Sequence, residues 1–101
     1  MRPSISEGSR RDERRLFQLN SRLERARTEL SVAEEQLAAL EEIADEARVR
    51  ALVSETPLAE QDFQRARRHA ETHRASLETA RLKVRELEKL QDDLIAKLIG
   101  G

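Results

Sequence analysis

Two histidines on one predicted helix have a spacing that can hold a metal ion. His69 and His73 are four residues apart, which on a helix can direct both imidazoles at one zinc ion. The zinc-protease pattern has a glutamate directly after the first histidine, but here an alanine follows His69. If the chain folds into a hairpin, the opposite residues offer no third ligand, being Leu37, Leu40 and Ile43. We therefore predict no metal site. We interpret His73 as a polar residue within the apolar seam along which two helices pack, with His69 at the border of that seam.

Other residues that enzymes use for catalysis lack a suitable setting in this sequence. The chain has no cysteine, which removes thiol nucleophiles, thiolate metal sites and disulfides. Its three glycines, Gly8, Gly100 and Gly101, do not form a phosphate-binding loop. Adjacent carboxylates are expected on a solvated helical surface, with no pocket for acid–base catalysis; they are Glu34-Glu35, Glu41-Glu42, Asp45-Glu46 and Asp92-Asp93. We predict a non-enzymatic protein with no cofactor and no small-molecule ligand.

Two arginine clusters raise the question of nucleic-acid binding. They are Arg65, Arg67, Arg68 and Arg74, and Arg10, Arg11, Arg14 and Arg15. The 19 basic residues are matched by 20 acidic ones, and a net charge of -1 argues against a dedicated polyanion-binding protein. In a hairpin the first cluster lies beside the acidic residues 34–46, which largely cancel its field. We expect no direct nucleic-acid ligand, and the sequence leaves open whether the N-terminal arginines bind anything.

The composition favours helix and argues against a thick globular core. Of 101 residues, 38% are hydrophobic, 39% are charged and only two are aromatic. Most of the chain consists of Ala, Leu, Glu, Arg and Gln, which lose little conformational freedom on entering a helix. No apolar run approaches the roughly 20 residues of a membrane span, and residues 1–15 contain no stretch of signal-peptide type. We expect a cytoplasmic protein without membrane contact.

Apolar residues recur alternately three and four positions apart along two long segments, as they do in a coiled coil. The first seam runs from Leu16 to Ala51 and the second from Ala59 to Leu98. Polar residues at single seam positions usually determine register and partner number. The two interruptions of the second seam, His73 and Gln91, are therefore interpreted as such residues.

A short turn joins the two segments. In Ser54-Glu55-Thr56-Pro57, Thr56 can cap the second helix and Pro57 can occupy its first position. Folding about Glu55 places residue i opposite residue 110 minus i, so that Leu30 faces Ala80 and volume is conserved across the seam. We predict an all-α fold, a two-helix antiparallel coiled-coil hairpin. Its parts are a flexible N-terminal arm (1–9), helix 1 (10–53), a turn (54–56) and helix 2 (57–99), with one hairpin domain over 10–99.

Large apolar residues outside the seams collect at the two ends of the predicted hairpin. The open-end surface comprises Phe17, Leu90, Ile95 and Ile99, and the tip surface comprises Val49, Leu52, Val53, Glu55 and Leu58. Only Val32, Ile43 and Leu82 lie between them. Exposed apolar patches of this kind often mark docking surfaces. We therefore expect an interaction protein, acting as spacer, adaptor or scaffold, that docks through these ends on a protein partner or on a second copy of itself.

The hairpin shape resembles two known families in outline. Small secreted WXG-type hairpins have a similar length, but their turn carries Trp-x-Gly, which this turn lacks. The coiled-coil arm of Gre-type factors enters the RNA polymerase secondary channel and presents acidic residues at its tip. Here Glu55 alone stands at the apex, and the 101 residues contain no segment for the globular domain of those factors. We assign neither family, but the second resemblance implies an alternative function, a regulator that inserts its tip into a cleft of a nucleic-acid machine such as RNA polymerase.

Overall fold

Two long helices form an antiparallel hairpin, as the sequence predicts. The structure is a computed structural model that describes the backbone of residues 7–100 and the side chains of residues 10–100. Helix α1 spans Glu7–Ser54 and helix α2 spans Pro57–Gly100. Side-chain pairs between the helices show the direction, because Asn20, Glu29 and Glu41 on α1 contact successively earlier residues of α2: Gln91, Lys83 and Arg74.

Helix α1 begins earlier than its predicted start at residue 10. Residues 7–9, which we assigned to the flexible arm, are helical, whereas residues 1–6 of that arm lie outside the described residues. Gly8 and Ser9 have low helix propensity, which is why the sequence argued against helix here. Extending an existing helix by one turn is far less costly than starting a new one, so the long α1 accommodates them.

The molecule is a rod. It measures 83 × 14 × 14 Å, with a radius of gyration of 22.6 Å, whereas a globular domain of this length would have a radius of gyration of about 13 Å. Within residues 7–100, neither helix has a stretch long and apolar enough to cross a membrane.

The two heptad seams form the core. Every described seam residue from Leu16 to Ala51 and from Ala59 to Leu98 is buried or half-buried. Two clusters of buried side chains lie along the seam, one around Leu23 and Leu87 and the other around Leu37 and Leu77, with Leu30 packed against both. Leu23 is the most enclosed side chain, at 1% exposure. Small residues between the leucines, such as Ala26 and Ala70, let the helices approach closely.

The turn consists of only two residues, each with a defined capping role. Glu55 has a φ of 52°, and its backbone N–H donates to the carbonyl of Ala51 at 3.1 Å. This is the left-handed motif that commonly ends a helix, although glycine usually occupies the position. The hydroxyl of Thr56 accepts a hydrogen bond from the N–H of Ala59 at 3.2 Å, and Pro57 is the first residue of α2. The predicted cap and proline position are confirmed.

Charged pairs across the seam follow the predicted register only approximately. The register brings Glu29 near Lys83, and the two side chains pair at 3.7 Å. It also brings Arg27 near Arg81, an unfavourable pair, but Arg27 instead contacts Glu88 at 3.0 Å. The same register brings Glu41 near Arg67, but the carboxylate of Glu41 contacts Arg74 instead, at 2.8 Å. Long side chains reach about one helical turn in either direction, so register alone does not select between neighbouring partners.

Candidate docking surfaces

Exposed large apolar side chains are concentrated at the two ends of the rod. Seven of the ten residues of this kind belong to the predicted docking surfaces: Phe17, Leu90 and Ile99 at the open end, and Val49, Leu52, Val53 and Leu58 at the tip. The other three are Val32, Ile43 and Leu82. Each helix has one neighbour and buries one face, so apolar residues on the other faces remain in contact with water.

The open-end surface is less uniform than the sequence suggests. Ile95 is half-buried, and α1 extends beyond the position opposite it. Phe17 and Ile99 are 76% and 81% exposed. Leu90 lines a groove between the helices, whereas Phe17, Ile95 and Ile99 do not line it.

This open-end groove lies between the helices and has a volume of about 410 Å³. Four residues of each helix line it, at positions i, i+3, i+4 and i+7: Arg15, Gln18, Leu19 and Arg22 from α1, and Leu90, Asp93, Leu94 and Lys97 from α2. Leu19 is buried and Leu94 half-buried, and both belong to the core cluster around Leu23. The groove therefore has an apolar floor continuous with the core and a predominantly basic rim.

A buried carboxylate at this end was missed by the sequence analysis. Asp12 is 6% exposed, and its two carboxylate oxygens contact Lys97 at 3.0 Å and Arg15 at 3.5 Å. Continuing the first seam one step before Leu16 leads to residue 12, so the heptad spacing contained the signal. The apolar residues of the seam begin at Leu16, and the charge of Asp12 conceals that it occupies the preceding seam position.

The ion pairs determine how much charge the groove presents. Arg15 and Lys97 share the carboxylate of Asp12, and the groove residue Asp93 pairs with Lys89 at 3.3 Å. The side chains of Arg15 and Lys97 remain 63% and 64% exposed, so both are accessible to an incoming anionic group. With Arg22 on the inner rim, the groove retains an excess of positive charge.

The tip surface carries the opposite charge. Val49, Leu52, Val53 and Leu58 are all more than half exposed, and Glu55 is exposed between the two helices. Residues 41–69, which fold back on themselves about Glu55, contain seven acidic and five basic side chains, whereas residues 10–22 and 88–100 at the open end contain seven basic and five acidic ones. The rod is therefore electrically polar, negative at the tip and positive at the open end.

The two histidines lie close together, but their surroundings are those of a helix surface. Their ring centroids are 5.0 Å apart, with the rings nearly perpendicular. His73 is half-buried in the seam and His69 is exposed, as the sequence interpretation placed them. Among residues 10–100, no group of three or more potential ligands could hold a metal ion.

The second polar seam residue has a partner that the sequence did not reveal. The side-chain amide of Gln91 donates to Oδ1 of Asn20 at 2.7 Å. The register places Gln91 opposite Leu19, but its side-chain amide reaches Asn20, the next residue of α1. This contact favours one register, because sliding the helices would leave both amides without this partner.

The arginine cluster on α2 is engaged by acidic residues nearby. Arg65 contacts Asp62 at 3.3 Å and Arg67 contacts Glu71 at 3.9 Å within the helix, while Arg74 contacts Glu41 across the hairpin. Such neutralisation weakens the attraction of this face for a phosphate backbone. At the other cluster, Arg10, Arg11 and Arg14 are exposed.

Compared with known proteins, the chain matches no family model, no curated protein and no solved structure.

Proposed function

We propose that this protein is a non-enzymatic coiled-coil spacer or adaptor that docks through its two apolar ends. The observation that carries the proposal is the concentration of exposed large apolar residues at both ends of an 83 Å rod. Burying one such side chain stabilises a contact by about 1.5 to 3 kcal/mol. Several at one end supply enough apolar surface for a specific protein contact, while the charged middle separates the two ends.

The proposal treats the protein as non-enzymatic because the adjacent carboxylates considered for acid–base catalysis lie on an open surface, while the buried carboxylate of Asp12 is paired with Arg15 and Lys97. The acidic pairs expected from the sequence include Glu34, Glu35 and Glu42, all of which are exposed to water. Catalytic carboxylates normally need a partly desolvated setting that tunes their proton affinity. The proposal also includes a cytoplasmic location, supported by the absence of cysteine from the sequence.

A comparison of end and mid-rod substitutions tests the proposal. Leu90 and Leu82 are matched, both leucines of α2 outside the seam with exposures of 52% and 53%. Leu90→Glu should abolish partner capture or self-association, whereas Leu82→Glu should leave it unchanged. Circular dichroism should show equal helix content in both variants. Retention of every partner and of the parental mass in solution by Leu90→Glu would contradict open-end docking.

A second candidate function is insertion of the tip into a cleft of a nucleic-acid machine such as RNA polymerase. It is favoured by the conformation of Glu55, an exposed residue at the apex that is held at a positive φ. Non-glycine residues in this region are strained, and such strain often accompanies a functional role. On this hypothesis Glu55→Ala removes activity while binding persists. On the docking hypothesis, loss of binding follows changes at Leu52 or Leu58 and not the loss of the Glu55 carboxylate.

A further inference from the structure

We propose that the open-end groove binds the tip of a second copy of this chain, so that the rods assemble head to tail. The inference rests on the proposed docking function and names one partner for both ends. The groove is open to solvent, has an apolar floor and is bordered by basic side chains. Its chemistry fits a helix that presents apolar residues flanked by acidic ones.

The tip of α1 is a helix of this kind. Residues 42, 45, 46, 49, 52 and 53 occupy positions i, i+3, i+4, i+7, i+10 and i+11 of the helix and therefore share a face. The first three are acidic (Glu42, Asp45, Glu46) and the last three apolar (Val49, Leu52, Val53). All six are exposed, so no change in the hairpin is needed for this face to dock.

The order of charge along the two surfaces is complementary. From the open end inward, the groove presents Arg15 and Lys97, then the leucines, and finally Arg22. Towards its apex, the tip presents Glu46, then the valines and Leu52, and finally Glu55. A second rod entering tip first from beyond the open end would bring these surfaces together in the same order.

The lengths also correspond. Arg15 and Arg22 are seven residues apart, which is roughly 10 Å along a helix, and Glu46 and Glu55 are nine residues apart, which is roughly 13 Å. Long arginine and glutamate side chains can span this difference. In this arrangement Glu46 lies near Arg15 and Lys97, and Glu55 lies near Arg22. The apolar residues of the tip cover Leu90 and the exposed part of Leu94.

The contact is heterologous, because different surfaces of the two copies meet. A head-to-tail dimer still offers one free groove, on one copy, and one free tip, on the other, so assembly continues beyond a dimer unless the chain of rods closes. An isologous contact between two grooves would instead bring like basic rims together and stop at two copies. The opposite charge of the two ends favours the head-to-tail arrangement.

Sedimentation velocity of the full chain at increasing concentration tests the inference. The average mass should rise from the 11.6 kDa monomer past the dimer and fall as salt screens the charges. Leu90→Glu blocks the groove and Val53→Glu blocks the tip, so each variant alone should associate at least about tenfold more weakly. Leu82→Glu and Val32→Glu, at exposed mid-rod positions, should behave as the parent.

Mixing the two end variants gives the decisive result. Leu90→Glu retains a working tip and Val53→Glu retains a working groove, so an equimolar mixture should form a dimer and nothing larger. Charge reversal supplies a second test that leaves the apolar contacts in place: Arg22→Glu should weaken assembly, and combining it with Glu55→Arg should restore it.

Three outcomes would overturn the head-to-tail arrangement. They are a parent that stays monomeric at every concentration, a mixture of the two end variants that does not dimerise, and a Val53→Glu variant that self-associates like the parent. The general docking function would survive any of these outcomes if Leu90→Glu lost a different protein partner while Leu82→Glu kept it. If Leu90→Glu keeps both its self-association and every protein partner, the head-to-tail arrangement and docking through the open end are both refuted.

Discussion

Replacing Glu55 with glycine should stabilise the hairpin. Glu55 holds a φ of 52°, and the left-handed conformation costs a residue with a side chain roughly 1 to 2 kcal/mol. Glycine adopts it without that penalty but loses more backbone freedom on folding, which offsets roughly 0.5 to 1 kcal/mol. We expect a net gain of about 0.5 to 1 kcal/mol in the free energy of unfolding. For a chain of this size, that corresponds to a rise in Tm of about 2 to 8 °C.

Glu55→Ala is the matched control for this prediction. It removes the same carboxylate, and therefore the same interactions with the two helix ends, but alanine retains the penalty of the positive φ. Thermal and urea unfolding, followed by circular dichroism at concentrations where the protein is monomeric, should rank glycine above alanine. The N–H donated to Ala51 is present in all three proteins, so the turn itself is retained. If the glycine variant is no more stable than the alanine variant, the strain argument is wrong.

Three further changes test the pairing, the buried carboxylate and the cap. Cysteines replacing Ala33 and Leu77, which pack in one core cluster, should form a disulfide within one chain, seen as an unchanged mass and faster migration on a non-reducing gel; bridging only between chains would contradict the hairpin. Asp12→Leu should leave the free energy of unfolding in urea unchanged or raise it, since an apolar residue suits the buried position and the remaining Arg15 and Lys97 charges are mostly exposed to water; a marked loss would show that the ion pairs of Asp12 stabilise the open end. Thr56→Ala should lower stability by about 1 kcal/mol, while Thr56→Ser, which keeps the hydroxyl, should lower it by less.

Much of the hairpin could be predicted because its causes are local in sequence. The spacing of three and four residues follows from the helical period, and it identifies the buried face without knowledge of the partner helix. Thr56 and Pro57 marked the start of α2 by their own conformational preferences. The same spacing also showed which apolar residues lie off the seam, so the exposure of Leu90 and Leu52 followed from it.

The details of the candidate site depended on how the two helices meet. Gln91 was recognised as a polar seam residue, but its contact with Asn20 follows from the exact offset between the helices. Ile95 was expected to be exposed, but it is half-buried in the hairpin. The choice of Arg74 as partner for Glu41 likewise depends on side-chain reach across the seam.

The sequence by itself determined the helices, their seams, the turn and the concentration of apolar residues at the ends, because each of these follows from the preferences or periodicity of a single segment. The tertiary structure alone decided that Asp12 pairs with both Arg15 and Lys97, and that residues of both helices form one groove. At the open end, burial and charge pairing depend on distances between residues about 70 to 85 positions apart in the sequence. Such distances are established only when the packed seam holds the two helices together.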